Sequence, residues 1–121
     1  MADTRERLLQ AIQFKVEGDY DAASGILSEI LTAEPENAEV RRQFGLVLGF
    51  QGLFDESIEE LEKAFVLDPD NAEILCDLAM THAMLGMYEE AKAEFERVLE
   101  MDPENDVALT QMVYFKDMAG V

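Results

Sequence analysis

The single cysteine and the single histidine are the residues of this sequence best suited to nucleophilic or metal chemistry. Cys76 and His82 are six residues apart, which is not the i, i+4 spacing that places two metal ligands on one helix face. A catalytic thiol also needs a neighbouring base, and no nucleophile and base signature is found. We therefore predict no metal site and no catalytic residue, and we interpret His82 as a packed or hydrogen-bonded side chain.

Clustered carboxylates are the second candidate for chemistry. One short run contains Asp55, Glu56, Glu59 and Glu60. This run falls at the start of a predicted helix, where the helix dipole and solvent both favour negative charge. The segment DPDNAE at 68–73 lacks the Gly and the late Glu of an EF-hand calcium loop, and no phosphate-cradling loop is present. The sequence predicts a protein that is not an enzyme and that takes no cofactor.

Composition limits the partners. The chain has 121 residues, 49% hydrophobic and 30% charged, as expected for one soluble domain with a modest core. Nine Lys and Arg against 27 Asp and Glu leave a net charge of -18. Nucleic acid and anionic membranes attract positive surfaces, so we predict neither as a partner. Basic proteins remain candidates, and a salt-rich cytoplasm is a second explanation for the acidity.

The sequence also suggests a compartment. The first residues, MADTRERLLQ, lack the apolar run of a signal peptide. No stretch approaches the roughly 20 apolar residues that span a bilayer. One cysteine cannot form an internal disulfide. A cytoplasmic location is the expectation.

The chain repeats itself every 34 residues. The phrases EPENAEV, DPDNAEI and DPENDVA begin at Glu34, Asp68 and Asp102. Four kinds of residue recur at this interval: Pro35, Pro69 and Pro103; Asn37, Asn71 and Asn105; Gly18, Gly52 and Gly86; and the aromatic Tyr20, Phe54 and Tyr88. Agreement of several registers by chance is very improbable, so the chain consists of internal repeats.

Each recurring residue has a structural role. Proline ends a helix at the residue before it, asparagine caps the start of the next helix, and glycine allows the left-handed turn between two helices. Apolar residues between these positions are spaced by three and four. The sequence therefore predicts helices near 3–16, 20–32, 37–50, 54–67, 71–84, 88–101 and 105–119.

These features resemble the tetratricopeptide repeat family. The segment at 72–103 fits best, with Leu78, Gly86, Tyr88, Ala91 and Phe95 at family positions. Repeats near 4–35, 38–69 and 72–103 and a C-terminal helix at 105–119 account for most of the chain. The resemblance implies an all-α fold, a right-handed superhelical solenoid of three helix pairs with a seventh capping helix, forming a single domain over 1–121.

The resemblance also implies a concave groove lined by the first helix of each pair, where a peptide or partner helix binds. Carried over to this sequence, the groove positions are Arg5, Leu8, Ile12, Lys15, Arg42, Gln43, Leu46, Phe50, Cys76, Asp77, Met80 and Met84. Further positions are Leu9, Val16, Glu39, Gly49, Glu73 and Ala83. The apolar members form either a groove floor, to which Met is well suited, or ordinary core between repeats.

Charge along these positions is uneven. Arg5, Lys15 and Arg42 belong to the first two repeats, and Glu73 and Asp77 belong to the third. This distribution favours a ligand with acidic residues near repeat one and basic residues near repeat three. The alternative is that these are solvated surface charges that contribute little individually.

A known use of three such repeats is a clamp for the C-terminal carboxylate of heat-shock chaperones, made of Lys, Asn and Arg side chains. The matching positions are Leu8, Ile12, Gln43, Glu73 and Asp77. Since two cations are replaced by carboxylates, which repel the ligand, we predict that the chain is not a carboxylate-clamp adaptor.

The C-terminal helix carries apolar residues beyond its inward stripe, namely Tyr114, Phe115 and Met118. They either pack back on repeat three, or meet another chain, as in a homodimer, or meet a missing fourth repeat. Two function classes follow. The first is a non-enzymatic protein-interaction scaffold that binds a peptide or partner helix. The alternative is a structural module that self-associates through this helix.

Overall fold

The fold is built entirely from helices over the part of the chain that the structure describes. The computed structural model describes the backbone of residues 3–119 and the side chains of residues 3–117. The helices in this range are α1 Thr4–Glu17, α2 Tyr20–Ala33, α3 Ala38–Phe50, α4 Phe54–Leu67, α5 Ala72–Met84, α6 Tyr88–Met101 and α7 Asp106–Ala119. Each begins and ends within one residue of its predicted bounds, and the all-α fold class is confirmed. None of these helices is long and apolar enough to cross a bilayer.

The chain divides into two compact units at the second proline stop. Unit 1 ends at Asp68 and contains α1 to α4, whereas unit 2 begins at Pro69 and contains α5 to α7. In unit 1 the pairs α1 and α2, α2 and α3, and α3 and α4 pack together; in unit 2 α6 packs on both α5 and α7. The single domain predicted for 1–121 stays a prediction.

Asparagine begins three of the helices, as predicted. The side chain of Asn37 accepts a hydrogen bond from Val40 N at 3.1 Å, and that of Asn105 accepts one from Ala108 N at 2.9 Å. The side chain of Asn71 accepts two, from the backbone N–H groups of Glu73 and Ile74. Each bond satisfies an amide that the helix itself leaves free.

Glycine closes the turn inside each helix pair. Gly18 ends α1 at a φ of 83°, and its N–H donates to the carbonyl of Lys15. Gly52 and Gly86 take the same left-handed conformation, at 82° and 79°. Other residue types are strained in this region, so the three glycines set the reversal of the chain.

A buried core joins α1, α2 and α3 of unit 1, and α3 also packs closely on α4. The buried side chains at the centre of the core are Ala11, Ala23, Leu27, Ile30, Val40 and Val47. At Gly45 the absence of a side chain leaves room for Leu61, and the Gly45 carbonyl accepts a hydrogen bond of 2.7 Å from Ser57 Oγ. Arg41 Nη1 of α3 lies 2.7 Å from Glu60 Oε2 of α4. Sterics and charge together therefore fix this helix pair.

The core of unit 2 is centred on an aromatic residue of α6. Phe95 is fully buried, as are Ala91 and Val98 of the same helix. Its ring lies 6.0 Å from that of Phe115 on α7, centroid to centroid. This contact joins α6 to α7, and aromatic pairs at such distances contribute beyond their buried area.

Removal of the Asn71 cap is expected to destabilise α5. Asn71→Ala leaves two first-turn amides without their side-chain acceptor and should lower the free energy of unfolding by about 1 kcal/mol. Urea denaturation followed by circular dichroism measures this. Asn71→Ser, which keeps an acceptor oxygen, is the control and should cost less than half as much. An equal loss in both variants would contradict the capping role.

Candidate peptide-binding surface

The first helix of each pair carries two apolar residues four positions apart, which we term the apolar pairs. They are Ile12 and Val16 on α1, Leu46 and Phe50 on α3, and Met80 and Met84 on α5. The first member of each pair is half-buried. The second is exposed, to 74% for Val16, 59% for Phe50 and 66% for Met84. Each helix thus presents one anchored and one open apolar side chain.

In unit 1 a chain of polar contacts joins α1 to α3, the two helices that carry its apolar pairs. Lys15 Nζ donates to Gln43 Oε1 at 2.7 Å, and Gln43 Nε2 donates to Glu39 Oε1 at 3.0 Å. Glu39 also lies 3.7 Å from Arg42 across an i, i+3 step. Gln43 is buried, with only 6% of the residue exposed. Gln43 is therefore a buried bridge between the two helices, and its assignment to the groove stays a prediction.

Tyr20 supports the exposed ring of Phe50. The two rings stack at a centroid distance of 5.3 Å and an interplanar angle of 11°. One face of Phe50 is thus held by α2, while more than half of the side chain stays open to solvent. The 34-residue spacing identifies Tyr20 as a repeat position and carries no sign of this contact. Held rings are good binding elements because little side-chain entropy is lost on binding.

Two further predicted groove residues lie elsewhere. Leu8 is half-buried and packs on the core of unit 1. Cys76 on α5 is buried to 7% exposure, with its sulfur 3.9 Å from Oδ1 of Asn105, the cap of α7. Cys76 is therefore covered by the packing of its own unit, whereas Leu8 keeps part of its side chain exposed.

The remaining predicted positions stay accessible to different degrees. Arg5 on α1 is exposed. Arg42 on α3 and Asp77 on α5 are half-buried. Arg5 and Arg42 lie in unit 1 with two of the apolar pairs, and Asp77 lies in unit 2 with the third.

The three predicted self-association residues of the C-terminal helix do not share one environment. Phe115 is 6% exposed and contacts the rings of Tyr88 and Phe95, at 6.3 Å and 6.0 Å. It therefore packs back on α6, which is the first of the alternatives for this residue, and it offers little surface for self-association. Tyr114 is 59% exposed. The side chain of Met118 lies outside the described residues.

His82 is buried and hydrogen-bonded, as predicted. Its Nδ1 lies 2.6 Å from Oε1 of Glu94, so the contact joins α5 to α6. The imidazole is 8% exposed. The partner accounts for its presence at a packed position, where an unpaired polar group is costly.

The repeated helix pairs and their capping asparagines define the class of protein. A family model for the tetratricopeptide repeat matches residues 51–113, slightly more than half of the chain. The chain therefore belongs to the tetratricopeptide repeat family. A search of curated proteins gives no match.

Solved structures agree with this assignment. The first TPR of Spaghetti (RPAP3), bound to the HSP90 peptide SRMEEVD, is 20% identical with a TM-score of 0.88, over 99% of this chain and 98% of that one. The second TPR domain of human RPAP3, in complex with the HSP70 peptide SGPTIEEVD, is 22% identical with a TM-score of 0.82, over 93% and 97%. The protein MamA is 24% identical with a TM-score of 0.81, over 99% and 67%.

Proposed function

We propose that this chain is a non-enzymatic protein-interaction module that binds a peptide or a partner helix through the apolar pairs. The observation that carries the proposal is the recurrence of an exposed apolar side chain at one register in all three repeats: Val16, Phe50 and Met84. Single exposed apolar residues are ordinary on protein surfaces. Three at the same structural position, each beside a half-buried apolar residue, form a repeated contact element.

The chemistry of the pairs supports an adaptable ligand contact. Phe50 offers a ring already held by Tyr20, and Met80 and Met84 offer flexible, polarisable side chains that fit irregular surfaces. Arg5, beside the apolar pair of α1, is exposed and suits an acidic residue of the ligand. The peptide complexes of the two RPAP3 domains provide the precedent for this fold.

Selection from a displayed random peptide library tests the proposal. Peptides selected on the native chain are labelled, and their affinities are measured by fluorescence anisotropy. Phe50→Gln and Met84→Gln are each expected to weaken binding about tenfold, because burial of a large apolar side chain contributes roughly 1.5–3 kcal/mol. Circular dichroism checks that the variants remain folded.

Val66→Gln is the matched control for these variants. Val66 is 78% exposed and lies on α4, the second helix of its pair. The α4 helix contains none of the apolar pairs. Its substitution is expected to leave the affinities within twofold. Equal losses in Val66→Gln and Phe50→Gln, or no selected peptide at all, would contradict the proposal.

We also propose that the chain does not act as a carboxylate-clamp adaptor. Glu73 and Asp77 supply negative charge where the family clamp has cations, and Leu8 packs on the core of unit 1. Both polar ends of Gln43 are already engaged by Lys15 and Glu39. Little remains at these positions that attracts a terminal carboxylate.

Labelled SRMEEVD peptide is therefore expected to show no saturable binding to this chain at concentrations up to about 1 mM. A Kd of about 1 mM would correspond to a binding free energy of only about 4 kcal/mol. Fluorescence anisotropy measures the binding. The first TPR of Spaghetti, whose structure contains this peptide, is the positive control. Micromolar affinity for the present chain would contradict the proposal.

Assembly through α7 remains the alternative function, favoured by the 59% exposure of Tyr114. Light scattering after gel filtration distinguishes this self-association from a monomeric peptide-binding module. A mass of 13.6 kDa at all concentrations excludes the dimer, and a doubled mass that Tyr114→Ser reduces would establish it.

A further inference from the structure

The 34-residue period identifies the face of each first helix that its partner helix covers. On α3 this face includes Arg41, which pairs with Glu60, and Gly45, which lies against Leu61. Both Glu60 and Leu61 belong to α4. On α5 it includes His82, which contacts Glu94 of α6. The equivalent positions on α7, which we term the pair face, are Leu109, Val113 and Lys116.

The pair face of α7 is open, unlike its equivalents. Leu109 is 47% exposed and Val113 is 59% exposed. At the same registers of α5, Leu75 is 3% exposed and Ala79 is fully buried. The other side of α7 is covered, since Ala108 is fully buried and Phe115 nearly so. Among the residues that the structure describes, no helix covers the pair face, although its side chains have the apolar character of a covered surface.

The size of Val113 limits what can cover this face. The equivalent positions in the three repeats are Ala11, Gly45 and Ala79. At Gly45 a single added Cβ would lie 2.8 Å from Leu61 Cγ, a contact that requires movement of one helix. Valine is larger than any of the three. A second helix packed as closely as α4 packs on α3 therefore does not fit, and the covering helix must dock at a greater distance.

The charge of unit 2 indicates what kind of helix covers the pair face. Unit 2 has twelve Asp and Glu against three Lys and Arg from residue 69 onward. A helix with Lys and Arg beside its apolar stripe is attracted to this unit. A second copy of the chain carries the same net charge of -18, which disfavours it as the occupant of this face.

We propose that the pair face of α7 docks an amphipathic helix from a basic partner protein. The apolar stripe of this helix covers Leu109 and Val113, and its basic flanks face the carboxylates of unit 2. This surface contains none of the apolar pairs and is independent of the proposed function. A single chain thus engages two different ligands.

A synthetic helix tests the proposal. The probe is a peptide of roughly 18 residues, long enough to be helical once docked, with Leu at i, i+3, i+4 and i+7 and Lys on both flanks. A second probe has the same Leu positions and Glu flanks. Titration calorimetry at about 0.15 M salt, where long-range attraction is largely screened, is expected to show saturable binding of the Lys probe. The Glu probe is expected to bind at least tenfold more weakly.

Paired variants of α7 locate the binding. The double variant Leu109→Gln and Val113→Gln is expected to weaken binding of the Lys probe at least tenfold. The matched control is Val107→Gln with Tyr114→Gln, which removes two other exposed apolar residues of the same helix, at 44% and 59% exposure. Glutamine is a good helix former, and circular dichroism checks both variants. The control is expected to bind the Lys probe within twofold of the native chain.

Four results would overturn the proposal. The first two are the absence of saturable binding of the Lys probe below about 1 mM and an equal loss of its affinity in both double variants. The third is equal affinity for the Lys and Glu probes. The fourth is a dimer in light scattering that becomes monomeric in the Leu109 and Val113 double variant. Peptides selected on the apolar pairs are expected to bind this variant normally. Their behaviour separates failure of this proposal from failure of the proposed function.

Discussion

Phe95→Ala is expected to lower the free energy of unfolding by about 3–5 kcal/mol, the usual cost of removing a buried aromatic ring. Phe95 is fully buried in unit 2. Its ring contacts Phe115, and Phe115 in turn contacts Tyr88. Loss of the ring leaves a cavity between α6 and α7 and removes the contact that holds α7. Urea denaturation followed by circular dichroism measures the loss.

Two control substitutions test whether the loss of stability comes from the buried ring of Phe95. Tyr114→Ala removes an aromatic side chain of the same unit that is 59% exposed, and it is expected to cost less than about 0.5 kcal/mol. Phe95→Leu retains most of the buried volume and is expected to cost about 1 kcal/mol. A loss below about 1.5 kcal/mol for Phe95→Ala would show that α7 does not depend on this ring.

The second large effect is expected at Gly45. An added Cβ lies 2.8 Å from Leu61 Cγ and 3.2 Å from the Ser57 carbonyl oxygen. Gly45→Val adds two methyl groups beyond that atom, forces α3 and α4 apart, and strains the hydrogen bond from Ser57 to the Gly45 carbonyl. We expect a loss of about 3 kcal/mol, at the upper end of the usual cost of overpacking. Thermal and urea denaturation measure it.

Gly25 provides the same substitution without the clash. It is exposed in α2, and an added Cβ meets nothing within 4 Å. Valine is a somewhat better helix former than glycine, so Gly25→Val is expected to change the free energy of unfolding by less than about 0.5 kcal/mol. Similar losses at Gly25 and Gly45 would mean that helix propensity, not the close approach of α3 and α4, sets the cost.

Local chemistry explains which features could be predicted from the sequence. Pro69 ends α4, Asn71 begins α5 and Gly86 ends the turn before α6 through interactions that extend only a few residues. Their spacing therefore predicted every helix to within one residue. The role of His82 was also predictable, since a polar residue at a packed position requires a hydrogen-bond partner.

Features that depend on distant packing could not be predicted in this way. Gln43 and Lys15 are 28 residues apart, and only the packing of α1 beside α3 brings them to 2.7 Å. Phe115 has an apolar side chain whether it packs on α6 or faces another chain, so periodicity alone left both alternatives open. Cys76 has the spacing of a groove residue, but its burial depends on the position of Asn105.

The three turn glycines have a consequence for chemical synthesis. Gly18, Gly52 and Gly86 have φ values of 83°, 82° and 79°, and an added side chain at any of them would meet open space. The strain at such angles belongs to L-amino acids alone, since the mirror-image residue prefers positive φ. The backbone conformation at all three positions therefore suits D-alanine, which is expected to stabilise the fold by restricting the unfolded chain. Each of the three repeats thus contains one position that favours a residue of inverted chirality.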